Sequence, residues 1–184
     1  SDTMINKVYE IIEAKNIFKI PYKKIKILIH PKSYVHALLK FNNGMIKIIA
    51  HETTMKIPIF NTLYFSTNQK IQSNDINLKT LNSLDFKTVD LLRYPMVKIM
   101  NFLPNHHSLF ETVIVSANDA LVECFLDKKI KFTDIQKKLF NTIKLKEFLK
   151  YKNISPRKVN DIIELKNYVR LKILKNVYKS RYVI

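Results

Sequence analysis

The chain has one glycine and one cysteine in 184 residues, and it has no tryptophan. A single glycine cannot make a glycine-rich phosphate turn, in which several residues must approach the ligand with backbone alone. The single Cys124 excludes a disulfide framework and a cysteine-based zinc site within the chain. No apolar run approaches the roughly 20 residues that cross a bilayer, and the first residues do not have the pattern of a signal peptide. We therefore expect a soluble protein in a reducing compartment, with Cys124 in its core.

Arginine is scarce although the chain is strongly basic. Lysine and arginine together number 32 against 15 acidic residues, which gives a net charge of +17. The only arginines are Arg93, Arg157, Arg170 and Arg181. Specific contacts to bases and phosphates favour the planar guanidinium, which binds two acceptors at once. A solvated lysine-rich surface is the simpler interpretation of this charge, and a nucleic-acid interface stays open as an alternative.

The hydrophobic pattern predicts an α+β fold. Residues 3–18 carry apolar side chains at helical spacing, with Ser1 or Thr3 as a possible cap, whereas residues 24–31 form a short β-branched run. Asn42-Asn43-Gly44 separates two apolar segments and predicts a hairpin with a primed turn, in which both central residues have positive φ. We expect a small mixed or antiparallel sheet of about three strands with helices packed on it.

The second half of the chain predicts an all-helical bundle. Its last helix is predicted to start with Ser155 as cap and Pro156 in the first turn. Residues 68–92 are polar and irregular, so they are predicted to be a linker. The predicted domains are therefore an α+β part over 1–67, the linker over 68–92 and the helical bundle over 93–184.

One face of the first predicted helix carries Asn6, Lys7, Glu10 and Glu13 at intervals of three or four residues. The start of a helix attracts phosphate through free N–H groups and the helix dipole. Ser1, Asn6 and Lys7 would add a hydroxyl, an amide and an ammonium there. Glu10 lies about one turn further along and is an oxygen ligand suited to Mg²⁺ or Mn²⁺. The same residue types cover many exposed helices, so an ordinary solvated face remains the alternative.

Other polar residues give weaker signals. His30 and His36 can act as acid or base, but hydrogen-bonded histidines at strand ends explain them equally well. Asn118-Asp119 interrupts a long apolar helix. Because an unpaired buried polar group is costly, we expect these two residues to join a hydrogen-bond network that locks the bundle.

Several stretches in order resemble one family, the 1-deoxy-D-xylulose 5-phosphate reductoisomerases of non-mevalonate isoprenoid synthesis. The resemblance begins with the segment SDTMINKVYEIIEAKNIF, which is similar to the family motif Ser-x-Thr-Met-x-Asn-Lys-Gly-x-Glu-x-x-Glu-Ala. It continues through ILIHPKSYVHALLKFNNG, TTMKIPI, RYPMVKIM and SANDALVECFLDKKIKFTDI. Order and spacing agree from Ser1 to about Ile135, and the remaining residues resemble the family only as a helical tail.

The resemblance implies roles for the residues of the first helix. Ser1, Asn6 and Lys7 would bind the substrate phosphate, and Lys7 and Glu10 would be catalytic. Glu10 would also contact the substrate and bind the divalent metal, with Glu13 beside it. The implied reaction rearranges the ketose phosphate to 2-C-methyl-D-erythritol 4-phosphate, with NADPH as reductant and Mg²⁺ or Mn²⁺ as metal.

Two further residues are implied in the 1–67 part, which would be a portion of the catalytic domain. Met55 would lie near the substrate and the nicotinamide, and His36 would support the domain. The chain departs from the family pattern at Val8, where the family has glycine, and at Thr53-Thr54, where it has Pro-Asp.

The family also has parts that this sequence lacks. These are an N-terminal NADPH-binding domain, an Asp-Ser-Glu stretch with two more metal carboxylates, and a lid over the substrate. We therefore expect this chain to be the C-terminal half of such an enzyme, to need the NADPH-binding half as partner, and to be inactive alone. A homodimer is implied by the family, and the location would be the bacterial cytoplasm or a plastid-type organelle. A lysine-rich nucleic-acid-binding module and a helical assembly module derived from the same fold remain as alternatives.

Overall fold

The computed structural model describes residues 3–66 and 68–179. Within them the α-helices are α1 (Ile5–Phe18), α2 (Lys56–Leu63), α3 (Leu78–Leu81), α4 (Phe110–Leu126), α5 (Phe132–Ile143), α6 (Lys146–Leu149) and α7 (Val159–Lys179). The strands are β1 (Leu28–Ile29), β2 (Val35–Lys40), β3 (Ile46–Ala50) and β4 (Lys87–Thr88). Short 3₁₀ segments span Tyr22–Lys24, Pro95–Phe102 and Lys150–Asn153. None of the helices in this part of the chain has the length and hydrophobicity needed to span a bilayer.

The chain divides into two compact units, one of residues 1–26 and 90–184 and the other of residues 27–89. The domain boundaries predicted from the sequence, at 67 and 93, remain a prediction. The units divide the chain differently because the first helix belongs with the C-terminal bundle. Its apolar face packs on the 3₁₀ segment Pro95–Phe102, where Val8 and Ile99 are both fully buried.

Helix α4 is the centre of the larger unit and packs against α5 and α7. Its small and apolar residues, among them Ala117, Leu121 and Cys124, are buried, so the prediction that Cys124 lies in the core is confirmed. Burial raises the pKa of the Cys124 thiol. On α7 the buried stripe runs at intervals of four residues, through Leu165, Val169, Ile173 and Val177.

The start of the last helix differs from the prediction. Ser155 does not cap it, because its hydroxyl donates to the carbonyl of His107, 2.7 Å away. The helix begins at Val159 instead, and the Asp161 carboxylate accepts hydrogen bonds from the backbone N–H groups of Arg157 and Lys158 at 2.9 and 3.2 Å. These bonds lower the pKa of Asp161, and they satisfy donors at the start of the helix.

The smaller unit contains the predicted hairpin, in which β2 pairs antiparallel with β3. Its turn is not of the predicted primed type, because Gly44, at φ 87°, has positive φ and Asn43 does not. The Gly44 N–H donates to the carbonyl of Phe41 at 3.1 Å, and the Phe41 N–H donates to the carbonyl of Met45 at 2.9 Å. An ordinary turn followed by a left-handed glycine also reverses the chain.

A second, shorter ladder joins β1 to β4, also antiparallel. The strand predicted over 24–31 is thus confined to Leu28–Ile29, and its partner lies in the segment predicted to be a linker. The α+β class is confirmed, although the predicted sheet of about three strands is two separate two-stranded ladders.

Candidate functional site

The polar face of α1 is the site predicted from the sequence, and the structure describes all of it except Ser1, which lies outside the described residues. Asn6, Lys7, Glu10 and Glu13 are exposed. The opposite face is buried and consists of Ile5, Val8, Ile11, Ile12 and Lys15. The helix therefore holds the candidate ligands on a rigid element, facing away from the core.

The first turn of α1 is suited to an anion. Met4 precedes the helix in the left-handed conformation, at φ 57°, and no side chain caps the helix end at this residue. The first turn contains no acidic residue. The Thr3 hydroxyl accepts a weak hydrogen bond from the Ile5 N–H at 3.4 Å, which differs from the capping role predicted for Thr3. The positive end of the helix dipole is thus not neutralised by a carboxylate in its own first turn.

Lys7 and Glu10 form an ion pair on this face. The Lys7 Nζ donates to both carboxylate oxygens of Glu10, at 3.0 and 2.8 Å. Both side chains are about half exposed, at 49% and 56%. An exposed pair of this kind contributes little to stability. A phosphate and a cation can therefore replace the partner of each group at small cost.

Among the described residues, Glu10, the metal ligand predicted from the resemblance, is not part of a cluster of metal ligands. Within residues 3–66 and 68–179, no group of three or more histidine, cysteine, aspartate or glutamate side chains is arranged to hold a metal ion. Carboxylate oxygen suits Mg²⁺ and Mn²⁺, so the residue type fits the implied metal. The remaining ligands would have to come from outside the described part of the chain.

Met55 and His36 lie in the smaller unit. Met55 immediately precedes α2 and is 68% exposed, so its side chain is free to contact a ligand. The ring of His36 stacks on the ring of His51 with centroids 3.6 Å apart. Its Nε2 is 3.2 Å from the His51 carbonyl oxygen. This stack was not predicted, although both histidines flank the same hairpin at similar distances from Gly44.

Two polar contacts of α1 were also missed from the sequence. The Tyr9 hydroxyl is near Asn118 and Asp119 of α4, and burial raises the pKa of this hydroxyl, as does the negative charge of Asp119. Lys15 and Glu111 form a buried ion pair with Nζ and Oε1 3.5 Å apart. Partners so distant along the sequence leave no local pattern, but a lysine in the apolar stripe of α1 is a signal that could have been used.

Comparison with known proteins gives the family. The family model for the DXP reductoisomerase C-terminal domain matches residues 51–172. The 1-deoxy-D-xylulose 5-phosphate reductoisomerase of Pelagibacter ubique is 55% identical over 94% of this chain. This chain belongs to the DXP reductoisomerase family. The enzyme of the same name from a Sulfurihydrogenibium species is 32% identical over 84% of the chain.

Solved structures of DXP reductoisomerases have the same fold. The Zymomonas mobilis enzyme in complex with NADPH superimposes with a TM-score of 0.79 over 95% of this chain, at 28% identity. A DOX-P reductoisomerase structure with fosmidomycin and magnesium gives a TM-score of 0.83 over 99%, at 26% identity. The chain spans 45% of the Pelagibacter enzyme and 45% and 46% of these two structures. It therefore corresponds to slightly less than half of a reductoisomerase.

Val8 stands where the family pattern has glycine, so its side chain could affect the candidate site. Its side chain is fully buried and points to the core, away from the polar face of α1. Valine at this position therefore adds apolar contact beneath the helix and leaves Asn6, Lys7 and Glu10 on the opposite face. The side chain of Val8 does not obstruct the candidate site on the exposed face.

Proposed function

We propose that this chain supplies the phosphate-binding helix, one metal ligand and the C-terminal helical bundle of a 1-deoxy-D-xylulose 5-phosphate reductoisomerase. The polar face of α1 carries this proposal, because a helix start without a carboxylate in its first turn, an ammonium and a carboxylate follow one another along one face of a rigid helix. The similar structures with NADPH and magnesium support the same two cofactors for the complete enzyme. We place the complete enzyme in the bacterial cytoplasm.

The proposed work of this chain is binding and orientation. Asn6 and Lys7, together with Ser1, hold the substrate phosphate through their side chains at the positive end of the α1 dipole. The phosphate then positions the rest of the substrate, and positioning of this kind lowers the barrier to reaction. Met55 contacts the substrate and nicotinamide through its exposed thioether, while His36 supports the hairpin.

Glu10 and Lys7 are the proposed catalytic residues. Glu10 holds the cation that, when bound, supplies positive charge to the vicinal oxygens of the substrate. In the complete enzyme, Lys7 would pair with the phosphate and Glu10 would hold the cation, in place of the ion pair that they form with each other. Glu13 is exposed one turn further on, where it adds negative charge without a described role as ligand.

The test joins this chain to the N-terminal half of the Pelagibacter ubique relative. The joined protein is expected to oxidise NADPH in the presence of Mn²⁺ and 1-deoxy-D-xylulose 5-phosphate, whereas the 184-residue chain alone is not. Glu10→Gln is expected to lower kcat/KM by about a hundredfold or more, and Glu13→Gln, the matched control on the same helix, by much less. Near-normal rates with the chain alone, or equal effects of the two substitutions, would contradict the proposal.

We also propose that the complete enzyme is a homodimer in which the hairpin lies at the interface. Cross-strand partners share a face of the hairpin, so Leu38 and Ile48 lie on one face and Ala37 and Ile49 on the other. Ile48 and Ile49 are 48% and 41% exposed, so each face presents apolar surface. A two-stranded hairpin with both faces apolar is marginal in water and is stable when its faces are covered.

Two neighbouring substitutions test this arrangement. Ile48→Lys and Ile49→Lys place the same charge on opposite faces of the hairpin. In the joined protein, one of them is expected to convert dimer to monomer in sedimentation experiments, since only one face would meet the second copy. A dimer that withstands both substitutions would exclude the hairpin from the interface.

A further inference from the structure

Lys15, Glu111 and Tyr22 form a buried polar cluster beneath α1. All three side chains belong to residues that are only 7% exposed. The Tyr22 hydroxyl donates to Glu111 Oε1 at 2.7 Å, and Lys15 Nζ lies 3.5 Å from the same oxygen. Lys15 Nζ is also 5.3 Å from the centroid of the Tyr22 ring, within reach of a cation–π interaction. One carboxylate thus joins α1, the 3₁₀ segment after it and the first turn of α4.

Stability alone does not explain a cluster of this kind. Removing two charges from water costs more free energy than a moderate ion pair provides. Replacing such a pair with apolar residues of similar volume often leaves a protein equally stable. Lys15 occupies a position in the buried stripe of α1, four residues after Ile11, where the pattern of the helix predicts an apolar side chain. The property that a buried ionic group adds is geometric, because the Lys15 ammonium lies beside the opposite charge of Glu111 in only one position of α1 on the bundle.

A second polar side chain of α1 also lies close to α4. The Tyr9 hydroxyl is near Asn118, which is 6% exposed. Tyr9 and Lys15 are separated by about 9 Å along α1, and Asn118 and Glu111 by about 10 Å along α4, at 1.5 Å per residue. Tyr9 precedes Lys15 whereas Asn118 follows Glu111, so α1 and α4 run antiparallel where they meet. The Lys15–Glu111 ion pair opposes sliding of α1 on α4.

We propose that Lys15, Glu111 and Tyr22 are positioning residues, which fix the seating of α1 on the bundle and so place Asn6, Lys7 and Glu10 against the substrate. This inference rests on the function proposed above, because it needs α1 to carry the phosphate and metal ligands. A displacement of about 1 Å in groups that orient a substrate can lower the rate by about a hundredfold. The bundle thereby acts on the reaction without touching the substrate.

The chain contains a matched control in a second cluster of the same three residue types. Glu147 accepts from the Tyr168 hydroxyl at 2.7 Å and pairs with Lys172 at 3.0 Å. This cluster joins α6 to α7 and does not involve α1. Removing the charges of this second cluster should therefore disturb the contact of α6 with α7 and leave the position of α1 on the bundle unchanged.

The experiment compares Lys15→Met with Glu111→Gln, made together, against Lys172→Met with Glu147→Gln. The first pair removes both buried charges and keeps an acceptor for Tyr22. In the 184-residue chain, we expect it to accelerate amide exchange in α1 by about tenfold or more, with α7 unchanged. In the joined reductoisomerase, kcat/KM and the affinity for Mn²⁺ are expected to fall by about tenfold. The control pair is expected to change neither the exchange of α1 nor these constants.

A purely stabilising role predicts a different result, in which the denaturation midpoint falls while kcat/KM well below it stays normal. That result, or equal effects of the two double substitutions, would overturn the proposal. If the first double variant does not fold, Tyr22→Phe decides, because it removes only one hydroxyl and should accelerate exchange in α1 by a smaller factor. If the unsubstituted joined protein is inactive, the function proposed above fails, and amide exchange still shows whether the cluster seats α1.

Discussion

The two compact units differ in how they bury apolar side chains. In the unit of residues 1–26 and 90–184, side chains such as Phe110, Phe148 and Leu121 are fully buried around α4. Among the described residues of 27–89, no residue is buried. The first unit therefore has an apolar core of its own, whereas the second exposes its apolar side chains. Exposed apolar surface of this kind is typical of a region that a partner covers.

The largest expected effect tests this difference directly. Phe148 is fully buried in the bundle, and Phe65 is 87% exposed in the smaller unit. Phe148→Ala should lower the free energy of unfolding by about 3–5 kcal/mol, because it removes a large buried side chain and leaves a cavity. Phe65→Ala should change it by less than about 0.5 kcal/mol. Urea denaturation followed by circular dichroism measures both, and similar losses would show that the smaller unit also has a core.

A second prediction concerns Val8, which ties α1 to the bundle. Val8→Gly restores the family residue but removes a fully buried side chain, and glycine is a poor helix former. The expected loss is about 2–3 kcal/mol. Glu13→Gly, at an exposed position of the same helix, should cost only about 1 kcal/mol. Equal losses in thermal denaturation would mean that Val8 makes no useful contact with the bundle.

The hairpin turn gives a smaller effect in the other unit. Gly44 has φ 87°, and a Cβ at this position would meet no atom within 4 Å. Gly44→Ala should therefore destabilise the hairpin only through backbone strain, by about 1–2 kcal/mol. Asn42→Ala is the control in the same turn. We expect faster amide exchange over β2 and β3 and unchanged exchange in α4. Equally accelerated exchange in α4, or an unaffected hairpin, would contradict the separation of the units.

The smallest effect is electrostatic and belongs to the bundle. The hydrogen bond from Tyr168, and then the one from Lys172, lower the pKa of Glu147 below its ordinary value of 4.5. The folded protein therefore releases this proton more readily, so the contribution to stability is present above pH 4.5 and is lost as the pH falls through the lower pKa.

The side chain of Glu147 is about a third exposed, so the contribution is expected to be below about 1 kcal/mol. Glu147→Gln should reduce the loss of thermal stability that occurs as the pH falls below 4.5, because the substituted side chain no longer takes up a proton. An unchanged pH dependence of Tm would show that solvent screens the pair completely.

The sequence was informative where local spacing determines the structure. The amphipathic pattern of α1 and the position of Gly44 predicted a helix and a hairpin, because both depend on neighbouring residues. The turn type was predicted incorrectly, since two different turns accept a glycine at this place. The start of α7 was also wrong, because the Ser155 hydroxyl forms a bond with His107 that only the tertiary structure reveals.

In the candidate site, too, the sequence predicted what depends on neighbouring residues and missed what depends on packing. The spacing of Asn6, Lys7 and Glu10 placed them on one face. The resemblance to reductoisomerases then predicted that this face binds phosphate and metal. The pairing of Lys7 with Glu10 follows from the same spacing. The contacts of Lys15 with Glu111 could not be predicted, because 96 residues separate partners that only the packing of α1 on the bundle brings together. The roles themselves remain predictions for experiment.

The burial of Cys124, which carries the sole thiol of the sequence, makes this residue a probe of how often the bundle opens. Its side chain is fully enclosed by α4 and its neighbours, and burial raises the pKa of the thiol, so neither access nor ionisation favours reaction in the folded state. An alkylating reagent can modify it only during the intervals when the helices separate. The rate of labelling therefore measures how often the bundle opens around Cys124.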